Sequence, residues 1–145
     1  RETFALGVSQ ISAGSRTNPG GYEHEEDQAD PSGQFSLGDH RPLDEVIRDV
    51  AKMGYIPSFC TACYRLGRTG QDFMDLAKPG DIILHCAPNA LSSFKEYLQN
   101  YAAPETAEVG NKLIKETIAG MKGLAKQRAE KLVKRVEAGR DDVYC

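Results

Sequence analysis

Three cysteines carry the chemistry that is easiest to name. Cys60-Thr61-Ala62-Cys63 is followed after 22 residues by Cys86, a C-x2-C-x22-C arrangement. A C-x2-C turn lets two sulfurs converge on one face of a metal or cluster, and a third can arrive from the end of the apolar run Ile82 to Leu84. Three chemistries fit this spacing. Structural zinc is preferred on spacing alone, but it needs a fourth ligand. His85 adjoins Cys86, and neighbouring residues rarely both ligate; His24 and His40 lie elsewhere. An iron-sulfur cluster on three cysteines would leave one iron open to an exogenous ligand. A thiol-disulfide pair at Cys60 and Cys63 is the third option, although no thioredoxin-like strand-motif-helix context surrounds it. Cys145 falls at the exposed end of the chain, apart from this trio.

A second group follows the apolar stretch Phe4 to Ile11. Ser12-Ala13-Gly14-Ser15-Arg16-Thr17-Asn18-Pro19-Gly20-Gly21-Tyr22 places small residues, hydroxyls and one Arg where parallel α/β proteins keep their ligands, just after a strand. Arg16 could clamp a carboxylate with two hydrogen bonds, or simply make a surface ion pair in a Gly-rich connection. His85 could tune a cluster or be an ordinary hydrogen-bonded histidine. Glu23, Glu25, Glu26, Asp27 and Asp30 crowd together without the Gly-centred pattern of a cation loop, so no metal is assigned there.

The elements that must position these residues are mostly helical. Phe4 to Ile11 reads as one buried strand, with Gln34 to Leu37 and Asp81 to Leu84 as the other short strand candidates, so a sheet would need strands from outside this chain. Together with the start at Arg1 in place of Met, this suggests a fragment of a larger fold. A helix from near Pro42 would turn Leu43, Val46, Ile47, Val50 and Met53 to one side and stop at Gly54. Thr69-Gly70-Gln71-Asp72 resembles a capping box, opening a short helix through Ala77. A third helix would carry Leu91, Phe94, Leu98 and Tyr101 inward. From Pro104 apolar residues recur at helical spacing to Val136, about 35 residues or about 50 Å if unbroken. Gly110, Gly120 and Gly123 each weaken that helix by about 1 kcal/mol relative to Ala, so a break falls near Gly120 to Gly123.

The 145 residues, 40% of them hydrophobic, suffice for one domain with a modest core. A net charge of −3 argues against nucleic acid or an anionic membrane as partner. The lysines and arginines of the last helical stretch alternate with Glu116, Glu130 and Glu137, which makes a solvated face. Four cysteines without secretory features indicate free thiols in a cytoplasmic protein.

The Ser12 to Gly21 segment, the stretch Phe35 to Tyr64 and the cysteine spacing together resemble the C-terminal part of the tyrosine-cleaving radical SAM maturases of iron-iron hydrogenase, over essentially the whole chain. The first part is also similar to a segment shared with biotin synthase and the thiamine-pathway tyrosine lyase. The resemblance implies a chain that is mainly α, with residues 1–33 ending a (β/α)8 barrel whose last strand is Phe4 to Ile11, and residues 34–145 forming an appended helical auxiliary-cluster domain. It implies Cys60, Cys63 and Cys86 as ligands of an auxiliary 4Fe-4S cluster associated with an additional iron, which reverses the preference for zinc. Ser15 and Arg16 would lie near tyrosine or S-adenosylmethionine. In such a parent enzyme, reductive cleavage of S-adenosylmethionine at a second 4Fe-4S cluster in the barrel leads to a radical that breaks L-tyrosine into p-cresol and dehydroglycine. Carbon monoxide and cyanide from the latter become ligands of iron for the hydrogenase, with other maturation proteins as partners. The barrel's C-x3-C-x2-C loop does not occur in these 145 residues, so the radical step would belong to the parent and this piece alone would be inactive. The alternative of another class is a zinc-stabilised helical interaction module.

Overall fold

The structure is a computed structural model that describes residues 2–15, 17, 20 and 41–145. The chain divides into two compact units, Arg1–Ile47 and Arg48–Cys145. The expected boundary between residues 33 and 34, the acidic segment and the strand candidate Gln34 to Leu37 lie outside the described residues.

All regular structure among the described residues is helical, in the order α1 (Glu2–Ala5), α2 (Leu43–Lys52), α3 (Ala62–Arg65), α4 (Gly70–Ala77), α5 (Ile83–Asn100), α6 (Pro104–Gly120) and α7 (Gly123–Glu137). Phe4 to Ile11, expected as a barrel strand, begins within the four-residue α1 and continues through Val8 to Ile11 without regular structure. A strand is defined by its ladder with neighbours, and no described residue supplies one.

Helix α2 has Asp44 and Glu45 in its first turn and Lys52 in its last, as the helix dipole favours. It ends before Gly54 as expected. Thr69 stands at the N-cap of α4 but makes no side-chain capping bond, so the expected capping box does not close. The strand candidate Asp81 to Leu84 is instead the approach to α5 and its first residues, with the Cys86 N–H donating to the Ile82 carbonyl at 2.8 Å. A lone apolar run of four residues fits either state, and no partner strand is present to select the extended one.

Helix α5 is the spine of the second unit. Leu91, Phe94 and Leu98 are buried on it, and Ile114 of α6 and Ala129, Leu132, Val133 and Val136 of α7 are buried on the helices packed against it. Tyr101, expected on the same inward stripe, is 75% exposed, because α5 ends at Asn100 and the chain turns there toward Pro104. Pro104 opens α6 at its first turn, where its missing N–H costs nothing. The long helical stretch does divide where expected: α6 stops at Gly120, Met121 and Lys122 are extended, and α7 restarts at Gly123 with φ +60°.

Gly110 has a different role from the weak point expected of a mid-helix glycine. A Cβ there would lie 2.5 Å and 2.6 Å from the Leu98 methyls and 2.9 Å from Phe94 Cζ. The absent side chain lets α6 approach α5. Alanine raises intrinsic helix propensity by about 1 kcal/mol, but here it overpacks a buried contact, which costs about 1–3 kcal/mol. Gly110→Ala is therefore expected to lower the urea midpoint, and an unchanged or higher midpoint would show that the two helices give way freely.

Candidate metal centre

Each cysteine reaches the centre from a different local structure. Cys60 lies on the irregular segment before α3, and its Sγ accepts the Ala62 N–H at 3.4 Å. That segment is tied to α5 through the Phe59 N–H, which donates to Ser93 Oγ at 3.3 Å, and through the Phe59 ring stacked on Tyr97 at 5.4 Å between centroids. Cys63 sits within α3, half-buried, and its carbonyl accepts the Arg68 N–H at 2.8 Å. Cys86 stands in the first turn of α5, an exposed residue whose thiol is partly covered.

Pro88 falls inside α5 two residues after Cys86. Proline has no N–H to give the carbonyl four residues earlier, which is that of Leu84. Arg128 of α7 supplies the missing donor, its Nη1 standing 3.0 Å from the Leu84 oxygen. The turn that presents Cys86 is thereby fastened to the neighbouring helix.

Burial pushes the Cys86 thiol above the ordinary range, the nearby Cys63 and Cys60 thiols push it further, Arg68 opposes the rise and Cys145 adds to it. Among the described residues, however, no three His, Cys, Asp or Glu side chains stand close enough to share one metal ion. Tetrahedral zinc, with bonds of about 2.3 Å, would need its sulfurs within about 4 Å of one another. In an iron-sulfur cluster each thiolate binds a different iron, so its sulfurs stand farther apart.

Two buried nitrogens belong to residues next to this site, Arg68 acting on Cys86 and His85 preceding it in sequence. Arg68 Nε and His85 Nδ1 are buried and have no hydrogen-bond partner. A buried donor without an acceptor carries a desolvation cost of about 1–3 kcal/mol. The sulfides and thiolates of a cluster are acceptors, and Arg68 already lies near Cys86 and Cys145. The residues present therefore suit an anionic iron-sulfur group.

Cys145 corrects the sequence reading. Its thiol is half-buried, with burial raising it, Arg128 and Arg68 lowering it and Cys60 raising it. Asn89 accepts the Cys145 N–H at 2.9 Å and donates to its carbonyl at 3.0 Å, and Arg68 donates to the same carbonyl at 3.0 Å. Neither these two residues nor the Pro88–Arg128 arrangement was apparent from spacing. The Cys-Ala-Pro-Asn order after Cys86 was the one local signal. Ser15 is half-buried in the first unit, and Arg16 lies outside the described residues.

The raised thiols give the metal-free protein a definite pH response. A thiol that holds its proton more tightly folded than unfolded stabilises the fold below its unfolded value, and that contribution fades as pH rises through the folded value. Unfolded thiols titrate near about 8.5. The urea midpoint of the apoprotein should fall above that pH, and the fall should be shallower for Cys86→Ser. Superimposable pH curves for the two proteins would contradict it.

No family model and no curated protein matches the chain. Among solved structures, the crystal structure of HydG, a maturase of the FeFe-hydrogenase, matches with a TM-score of 0.88 and 40% sequence identity over 99% of this chain. The chain spans 31% of the length of that maturase. With fold and identity in agreement over nearly every residue, the chain is consistent with a C-terminal segment of a HydG-like maturase.

Proposed function

We propose that this chain is the auxiliary-cluster region of a radical SAM tyrosine lyase that matures hydrogenase. Cys60, Cys63 and Cys86 would hold a 4Fe-4S cluster. When bound, that cluster supplies an iron without a protein thiolate, beside which an additional iron can be held. Arg68 and the Ala62 N–H supply positive charge and a hydrogen bond around the sulfurs, the surroundings that set cluster stability and potential.

The parent barrel, of which residues 1–33 would be the end, would bind S-adenosylmethionine and its own 4Fe-4S cluster and cleave L-tyrosine to p-cresol and dehydroglycine. Ser15 and Arg16 would lie beside one of those small molecules. Carbon monoxide and cyanide delivered to iron would then pass to the hydrogenase with the help of other maturation proteins. The radical step belongs to the parent, since the four cysteines here form no C-x3-C-x2-C loop. No helix among the described residues is long and apolar enough to cross a membrane, and a cytoplasmic site of action fits the free thiols.

The observation that carries this reading is the 40% identity to HydG over 99% of the chain, and the C-x2-C-x22-C spacing within it supports the ligand set. Anaerobic reconstitution of the parent protein with iron and sulfide tests it. With the barrel's own cysteine loop replaced by alanines, the remaining protein should be brown and bind about four irons and four sulfides, and Cys60→Ser should lose them. A colourless protein with one tightly bound zinc would overturn the reading in favour of a zinc-stabilised interaction module.

A further inference from the structure

Helix α3 has little of its own to hold it in place. It is four residues long with Ala62 as its buried residue, and α4 after it buries none. Tyr64 and Leu66, on it and next to it, are 80% and 49% exposed. Burial of apolar surface, which fixes α5 against α7, therefore contributes little to the position of α3. On the upstream side Phe59 ties the segment to Ser93 and Tyr97 of α5. On the downstream side the ties run to residues 141–145, which follow α7.

Residues 141–145 form a strap along one side of α5. Asn100 Nδ2 donates to the Asp141 carboxylate at 3.0 Å, and Glu96 Oε2 accepts the Asp142 N–H at 2.7 Å. Ser92 Oγ donates to the Val143 carbonyl at 2.7 Å, and Asn89 grips both the N–H and the carbonyl of Cys145. Positions 100, 96, 92 and 89 differ by four, four and three, so they form one stripe of the helix and the strap runs antiparallel to it. Asn89 and Ser92 are 2% and 1% exposed, and Val143 is buried with Leu132 and Val136 of α7. Asp142 takes φ +56°, a left-handed conformation that a side-chain-bearing residue keeps where its surroundings hold it.

From this seat the strap takes hold of α3. Asp142 pairs with Arg65, whose guanidinium lies 5.5 Å from the Tyr144 ring centroid, and the Cys145 carbonyl accepts from Arg68 Nη2 at 3.0 Å. Arg68 in turn closes the α3 turn, its N–H donating to the Cys63 carbonyl. We propose that residues 141–145 are a latch: seated, they order the segment 60–68, and released, they let it open while α5, α6 and α7 stay folded. The strap is anchored to the bundle by buried groups and reaches Arg65 through exposed ones, so the contacts with α3 part first. Whatever displaces the strap from α5 thereby controls the order of the segment that carries Cys60 and Cys63. The latch needs no metal at the cysteines and stands apart from the cluster reading above.

Hydrogen exchange tests the latch in the full-length parent protein in its metal-free form, so that no metal-sulfur bond holds α3 in the strap's stead. Peptides covering residues 62–68 report α3, where the Leu66 and Arg68 N–H groups donate to the Ala62 and Cys63 carbonyls at 2.9 Å and 2.8 Å. Peptides covering residues 91–98 report the bundle. Arg65→Ala cuts α3 from the strap at an exposed residue and should speed exchange over 62–68 about fivefold. Val143→Ser loosens the strap from α7, removing the Arg65 and Arg68 ties together, and should speed the same peptides about tenfold. Exchange over 91–98 should be unchanged in both variants. Wild-type exchange over 62–68 in Arg65→Ala would overturn the latch. So would equal acceleration over 62–68 and 91–98 in Val143→Ser, because α3 and the bundle would then open as one unit.

Discussion

Replacing Cys86 with serine in the parent protein should remove most of the auxiliary iron while leaving the fold of the apoprotein nearly unchanged. The two halves of this result have different physical causes. Serine keeps the size of cysteine but is a poor donor to iron at neutral pH, whereas thiolates are the soft ligands that clusters select. Cys86 is exposed on the first turn of α5, makes no disulfide and belongs to none of the buried positions. Surface substitutions of this kind change stability by less than about 0.5 kcal/mol. Urea unfolding of the apoproteins and iron-to-protein ratios after reconstitution would be measured on the same preparations. Retention of the full four-iron complement by Cys86→Ser would remove this cysteine from the ligand set. A large drop in apoprotein stability would mean that the loss of iron followed from unfolding.

Phe94→Ala should show the converse, a large loss of stability at a residue outside the metal centre. Phe94 is 0% exposed and heads the largest fully buried side chains. Its ring lies beneath the α6 backbone at Gly110. Truncation leaves a cavity that close-packed helices fill only in part, at a cost of about 3–5 kcal/mol. Against a total of about 5–15 kcal/mol for a typical domain, that is a large share. The same geometry predicts coupling with Gly110→Ala. Once the ring is gone, one of the close contacts of the added methyl disappears, so the double variant should be less destabilised than the sum of the single ones. Strict additivity in urea midpoints would show that Leu98 alone sets the α5–α6 distance.

The helices of the second unit were largely legible because their signals are local. Pro104 at a first turn, the apolar spacing of Leu91, Phe94 and Leu98, and the break near Gly120 to Gly123 each depend on neighbours within a few residues. The misreadings have a common origin. Asp81 to Leu84 matched a strand in composition, Thr69 matched a cap in type and Tyr101 matched the stripe in spacing, yet each depended on where its neighbours in space would be. Gly110 shows the same limit, since its helix propensity is a local property and its clearance to Leu98 is not.

By itself the sequence determined that three thiols at C-x2-C-x22-C spacing could serve one centre, and that mostly helical segments would carry them. Ligand type and helical period are written in single residues and short intervals, so no tertiary contact is needed to read them. The tertiary structure decided that Asn89 and Arg68 hold the Cys145 backbone beside α5, and that Arg128 completes the turn interrupted by Pro88. These depend on residues 44 to 77 positions apart being brought together by the burial of α5 against α7. Burial of apolar surface acts on whole helix faces, and no local pattern of residues records which polar groups those faces will carry into contact.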